Sequence, residues 1–153
     1  MSTGAKTIIS IASDHAGFGL KQFLIRHLHN QRYEVIDLGT DGVGSVDYPD
    51  FAHKLAENIR GKKSDKGVLV CGSGIGISIA ANRHTEIRAA LIHDALGAKM
   101  CRQHNDANVI VFGGRMIGQD VALHCVDTFL TTEFEGGRHA RRVDKINPEN
   151  RQK

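Results

Sequence analysis

Lys66–Asn82 reads KGVLVCGSGIGISIAAN. The apolar run Val68-Leu69-Val70 leads into Cys71, glycines follow at 72, 74 and 76, and the residues from Ile75 onward can be helical. A short strand, a glycine loop and a helix in that order form the repeating unit of an α/β fold. Such a loop lets backbone N–H groups converge on an anion, assisted by the positive end of the helix dipole. Cys71 holds the last strand position and faces the same place. A small buried hydrophobe is the plainer duty for a cysteine. The spacing is not the G-x-G-x-x-G of dinucleotide folds, and no G-K-[ST] completes a P-loop.

Working outward, the same alternation recurs. Thr7–Ser13 is apolar and β-branched and reads as strand one, followed by Leu20, Leu24 and Leu28 at helical spacing within 18–29. Tyr33–Leu38 reads as strand two and 39–49 as a glycine-containing loop ending in Tyr48-Pro49; Phe51, Leu55 and Ile59 repeat at helical spacing. Val68–Cys71 is strand three, Ile87–Ile92 strand four and Asn108–Phe112 strand five, with helices expected at 75–83, 95–102 and 117–130. Strands alternating with helices predict an α/β three-layer αβα sandwich, Rossmann-like, with a five-stranded parallel sheet. The whole length, 1–153, reads as a single domain with a basic tail at 136–153. Ligands of such sheets bind beyond the carboxyl ends of the strands. Two strand ends carry reactive groups there: Asp14-His15 after strand one and Cys71 after strand three.

Composition narrows the partners. Hydrophobic residues make up 41% and charged residues 24%, ordinary for a globular protein. The tail holds six of the 20 basic residues and two of the 17 acidic ones, so the remaining body, with 14 basic and 15 acidic residues, is close to neutral. A basic tail suits a small phosphate better than a nucleic-acid track, and the few aromatics are not interleaved with it. The longest uncharged run, 67–82, is too short and glycine-rich to span a bilayer. The start, MSTGAKTIISIASDH, lacks a basic leader, and Cys71, Cys101 and Cys125 show neither paired nor metal-like spacing. A reducing, cytoplasmic setting is expected.

Further candidates flank these strand ends. Asp14 suits a helix N-cap, whereas His15 has no such duty and can hydrogen-bond a phosphate or sugar hydroxyl. His104 and Asn105 precede strand five, where Asp106 and Asn108 read as turn residues. They should lie at the edge opposite Cys71, roughly 15 Å away across a five-residue strand. If His104 serves the Cys71 site, a second subunit supplies it. Arg138 and Arg142, at i and i+4, can share one helix face and grip a phosphate, unless they are only solvated tail. Arg115, after Gly113-Gly114, is a weaker candidate of the same kind.

Asp14-His15, Asp47-Tyr48-Pro49, CGSGIGISIAAN at 71–82, HNDANV at 104–109 and EGGRHARRV at 135–143 together resemble the type B ribose-5-phosphate isomerases. That family includes the galactose-6-phosphate and allose-6-phosphate isomerases, and the likeness runs from about residue 7 to residue 146. The resemblance implies an aldose–ketose isomerase of the pentose phosphate pathway, working through an enediolate without metal or organic cofactor, with sites at a homodimer interface. It also implies roles. Cys71 is the base, and Ser73 with the Gly74, Ile75, Gly76 and Ile77 amides, next to Gly72, holds the enediolate oxygens. His104, assisted by Asp14, opens the furanose ring. Arg138, Arg142, His15 and Arg115 hold the phosphate, Asn105 a sugar hydroxyl, and Tyr48 lines the sugar site. One branch of the family lacks the cysteine and places a glutamate at the position of Ile77; this chain falls in the cysteine branch. The readings left open are a six-carbon sugar phosphate, a dimer or a tetramer, and a non-catalytic phosphate- or nucleotide-binding module.

Overall fold

The computed structural model describes residues 4–152. Met1–Thr3, at the start of the segment read against a leader, and Lys153, the last basic residue of the tail, lie outside them. The elements follow as β1 (Ile8–Ser13), α1 (Phe18–Asn30), β2 (Glu34–Asp37), α2 (Tyr48–Arg60), β3 (Lys66–Cys71), α3 (Ile75–Ala81), β4 (Ala89–Leu91), α4 (Ala95–Gln103), β5 (Val109–Gly113), α5 (Gln119–Thr131) and α6 (Arg138–Asp144), with a 3₁₀ turn at Pro148–Asn150. The strands form one parallel sheet in the order β2-β1-β3-β5-β4.

Successive strand residues point to opposite faces, and both faces are covered. Ile9, Ile11, Val68, Val70, Ile110 and Phe112 pack against Leu24 and Leu28 of α1, Cys101 of α4 and Phe129 of α5. Ala12, Leu69, Cys71, Val109 and Val111 pack on the other face against Phe51 and Leu55 of α2 and Ile77 of α3. This is the three-layer sandwich expected of the alternation. Fully burying one such aliphatic side chain is worth about 1.5–3 kcal/mol, so the two cores lock the strand register that aligns the site.

Several boundaries differ from the sequence reading, each for a local reason. Tyr48-Pro49 opens α2 rather than closing a loop, because proline is tolerated in the first helical turn. Helix α3 stops at Ala81, two residues early, because the Asn82 side chain turns to the edge strand: its amide donates to the Ala89 carbonyl (2.9 Å) and its oxygen accepts the Ala89 N–H (2.8 Å). Strand β4 is correspondingly short. The basic tail is not free: 138–144 forms α6, with His139 buried.

Candidate active site

The carboxyl edge of the sheet is built around Cys71. Its thiol lies 4% exposed, and Sγ accepts the Gly74 N–H at 3.2 Å. Gly74 has φ +78°, and a Cβ there would come within 2.5 Å of Leu91 and 3.0 Å of the Gly113 nitrogen. Only glycine turns the chain here, so this residue creates the contact with the thiol. Ser73 Oγ accepts the Ile75 N–H at 3.2 Å, which leaves the hydroxyl hydrogen available to a ligand oxygen. The first intrahelical bond of α3 runs from Ser78 N–H to the Gly74 carbonyl. Of the amides expected to hold oxyanions, Gly74 is thus turned to Cys71 and Ile75 to Ser73, while Gly76 and Ile77 are the first-turn groups a helix leaves without an intrahelical acceptor.

Neighbouring loops close on this turn. Asp14 N–H bonds the Val70 carbonyl (3.2 Å), and Asp14 Oδ1 accepts the Gly17 N–H (3.0 Å). Asp14 therefore caps a turn ahead of α1; Gly17 holds the helix N-cap itself, correcting the expectation for Asp14. His15 Nδ1 accepts the Val46 N–H at 3.1 Å, which places the proton of the neutral ring on Nε2 and makes that nitrogen a donor. Tyr48 lies directly over the loop: a Cβ on Gly76 would fall 2.6 Å from its Cζ. Gly114 N–H bonds the Cys71 carbonyl (2.8 Å) and Arg115 N–H the Gly72 carbonyl (3.0 Å), bringing the Arg115 side chain beside Gly72. Asp14, His15, Tyr48, Gly72–Ile77 and Arg115 therefore share one edge.

His104, Asn105, Arg138 and Arg142 do not join them. His104 caps the end of α4 and, with Asn105, precedes β5 at the amino edge, whereas Cys71 is level with Gly113 at the far end of that strand. Helix α6 stands at the same amino edge: Glu135 N–H bonds the Gln103 carbonyl (3.1 Å), and the His139 ring stacks on His104 with centroids 4.5 Å apart. Arg138 and Arg142 are both exposed on α6. Asn105 lines a groove of about 670 Å³ with Arg83, His84, Arg88 and Pro148. The predicted residues thus form two clusters at opposite ends of the sheet.

His139 and Glu135 escaped the sequence reading, although their i, i+4 spacing next to Arg138 was visible. They lie 3.7 Å apart, and desolvation first, then His104 and Arg138, holds His139 below the ordinary histidine value. His104, Glu135 and His139 place one potential metal-ligand atom each within 4.8 Å. The two rings are nearly parallel, 14° apart, so their in-plane lone pairs cannot meet at one ion unless a ring turns. Away from this edge, burial pushes the Cys101 and Cys125 thiols up to about 11, which keeps both protonated at neutral pH.

The sequence pattern of the Ribose/Galactose Isomerase family matches residues 9–146. This chain belongs to that family. The chain is 44% identical over 138 residues to ribose-5-phosphate isomerase B of Escherichia coli, covering 90% of this chain and 93% of that protein. A putative sugar phosphate isomerase of Bacillus subtilis is 46% identical over 139 residues, with the same shares covered. Among solved structures, a ribose 5-phosphate isomerase from Thermotoga maritima superposes with a TM-score of 0.92 at 49% identity, covering 94% of this chain and 99% of that one. The type B ribose 5-phosphate isomerase of Trypanosoma brucei gives 0.91 at 40% identity, covering 95% and 99%. At these identities the fold is common to all of them. No helix among the described residues is long and apolar enough to cross a membrane.

Proposed function

We propose that this chain is an isomerase that interconverts ribose 5-phosphate and ribulose 5-phosphate, acting as one domain in the cytoplasm and as a homodimer or a tetramer built from such dimers. The observation that carries the chemistry is the Cys71 thiol, held at a strand end by the Gly74 N–H beside the opening turn of α3. The observation that carries the assembly is the separation of the two clusters by the length of β5.

In the open-chain aldose, the Cys71 thiolate takes the proton from C2, and the electron pair moves into an enediolate. The same thiol returns the proton to C1 while the O2 proton passes to O1, so the product is the ketose and no atom is gained or lost. Negative charge develops on oxygen at the enediolate, where the Ser73 hydroxyl and the Gly76 and Ile77 amides are the preorganised donors. A cysteine within reach of the reacting carbon can serve as the general base for this proton transfer. His15 Nε2–H and Arg115, with Arg138 and Arg142 of the partner subunit, bind the phosphate; Tyr48 covers the sugar, and Asn105 of the partner subunit holds a hydroxyl. His104 of the partner subunit, assisted by Asp14, opens the furanose ring. Ile75 and Ile79, exposed one turn apart on α3, give the second copy an apolar strip to cover.

The test is direct: purified protein is incubated with ribose 5-phosphate in EDTA, and ribulose 5-phosphate is measured. Ketose formation at enzymic rates is the expected result. Binding of the sugar phosphate without turnover would assign the chain to a binding module instead.

A further inference from the structure

The loop carrying His104 and Asn105 is gripped by two arginines, Arg102 on α4 and Arg88 in the segment leading into β4. Arg102 of α4, 6% exposed, directs Nη1 to Asp106 Oδ1 (2.8 Å) and to the Ala107 carbonyl (2.7 Å), and Nε to the Thr132 carbonyl (3.1 Å). From the β4 side, Arg88 directs Nε to the Asp106 carbonyl (2.8 Å) and Nη2 to Asp106 Oδ2 (3.4 Å). Asp106 has φ +47°, a conformation that aspartate adopts more readily than most residues but that still needs support. Asn108 ties the same loop to the segment leading into β4, accepting the Arg88 N–H (2.8 Å) and donating to the Glu86 carbonyl (2.7 Å).

A turn needs none of this, since Asp and Asn make turns through their own local bonding. A buried guanidinium is costly unless its donors are satisfied, and here every Arg102 bond except that to Thr132 holds this loop. The clamp fixes the backbone direction at residue 106 and, with it, the two residues immediately before.

We propose that Asp106, clamped between Arg88 and Arg102, is a positioning residue that aims His104 for ring opening. The inference rests on the role given to His104 above. Asp106 touches neither substrate nor reacting atoms and acts only through the loop.

The two directions of the reaction separate this role from a merely structural one. Ribose 5-phosphate is chiefly cyclic and must be opened. Ribulose 5-phosphate cannot form a furanose, because the C5 hydroxyl that would close on C2 carries the phosphate. Exchange of its C1 proton with solvent deuterium therefore needs the Cys71 cluster but no ring opening: the thiol takes the C1 proton, exchanges it with D₂O and returns a deuteron. Asp106→Asn keeps a residue tolerant of the left-handed backbone and removes the charge from both arginines. Arg88→Gln loosens the clamp from its partly exposed side and leaves the buried Arg102 in place. In both variants, turnover of ribose 5-phosphate should fall at least tenfold, while C1 exchange at saturating ribulose 5-phosphate stays within twofold of wild type. Turnover less than tenfold reduced in both variants, or exchange falling in parallel with turnover, overturns the proposal. A wild-type protein that neither isomerises nor exchanges would refute the isomerase reading itself, and the role of Asp106 with it.

Discussion

Cys71 shows how one glycine can set the chemistry of a neighbour. Gly74 must be glycine because of its φ and because a Cβ would strike β5, and the turn it permits delivers an N–H to the thiol. Cys71→Ala should lower kcat by at least ~10²-fold while leaving sugar-phosphate binding largely intact, because the base acts only on the reacting carbon. Steady-state kinetics and calorimetric binding to the variant check this, and near-normal turnover would remove Cys71 from the mechanism. That Cys71 ends a strand and that the alternate glycines turn the chain after it was legible from the sequence, because an apolar run meeting such glycines marks a strand–loop junction. Their division of labour was not. That Gly74 serves the thiol and Ile75 serves Ser73 depends on a few tenths of an ångström of turn geometry, which residue types do not encode. The Val46 N–H that fixes the His15 tautomer comes from a loop thirty-one positions away in the chain, beyond the reach of any local pattern.

At the scale of elements, α6 carries Arg138 and Arg142, proposed above to bind the phosphate, and the histidine that packs on His104. Arg138→Ala and Arg142→Ala should chiefly raise KM, since a phosphate contact is made equally in ground and transition states; each charge-assisted bond is worth about 1.5–3 kcal/mol. Unchanged affinity for phosphorylated over unphosphorylated sugar in either variant would return that arginine to solvent. His139 makes a different prediction. Its folded value is depressed, so between that value and the ordinary 6.5 the unfolded chain binds more protons and stability rises with pH. The contribution is complete above about pH 6.5 and is lost as pH falls through the folded value. Urea midpoints at pH 7.5 and 5.5 should therefore drop further in the wild type than in His139→Gln, and equal drops would contradict the assignment. Strands β1, β3 and β5 were readable because they are buried on both faces and so run as nearly continuous apolar segments, broken only by Ser10, Ser13 and the opening Lys66. Strand β4, expected at 87–92, spans only Ala89–Leu91 and begins at the residue that the Asn82 side chain clips.

For the whole molecule, the order β2-β1-β3-β5-β4 puts the reactive strand ends together and leaves His104, Asn105 and α6 at the far edge. Alternation of strands and helices dictated a doubly covered parallel sheet but not that β5 would insert between β3 and β4, since connection rules constrain handedness more than strand order. The separation of the two clusters was still foreseeable, because residues leading into a parallel strand cannot reach the loop at its exit. The central claim, that one site is assembled from opposite edges of two copies, is tested most directly by mixing two inactive variants. Cys71→Ala and His104→Ala are dissociated, combined in equal amounts and reassembled, then assayed for ribose 5-phosphate turnover. In each mixed dimer one site inherits both lesions and the other inherits neither, and random pairing makes about half of all dimers mixed. Activity should return to roughly a quarter of wild type if the sites act independently. No recovery above the parent variants would contradict the shared site.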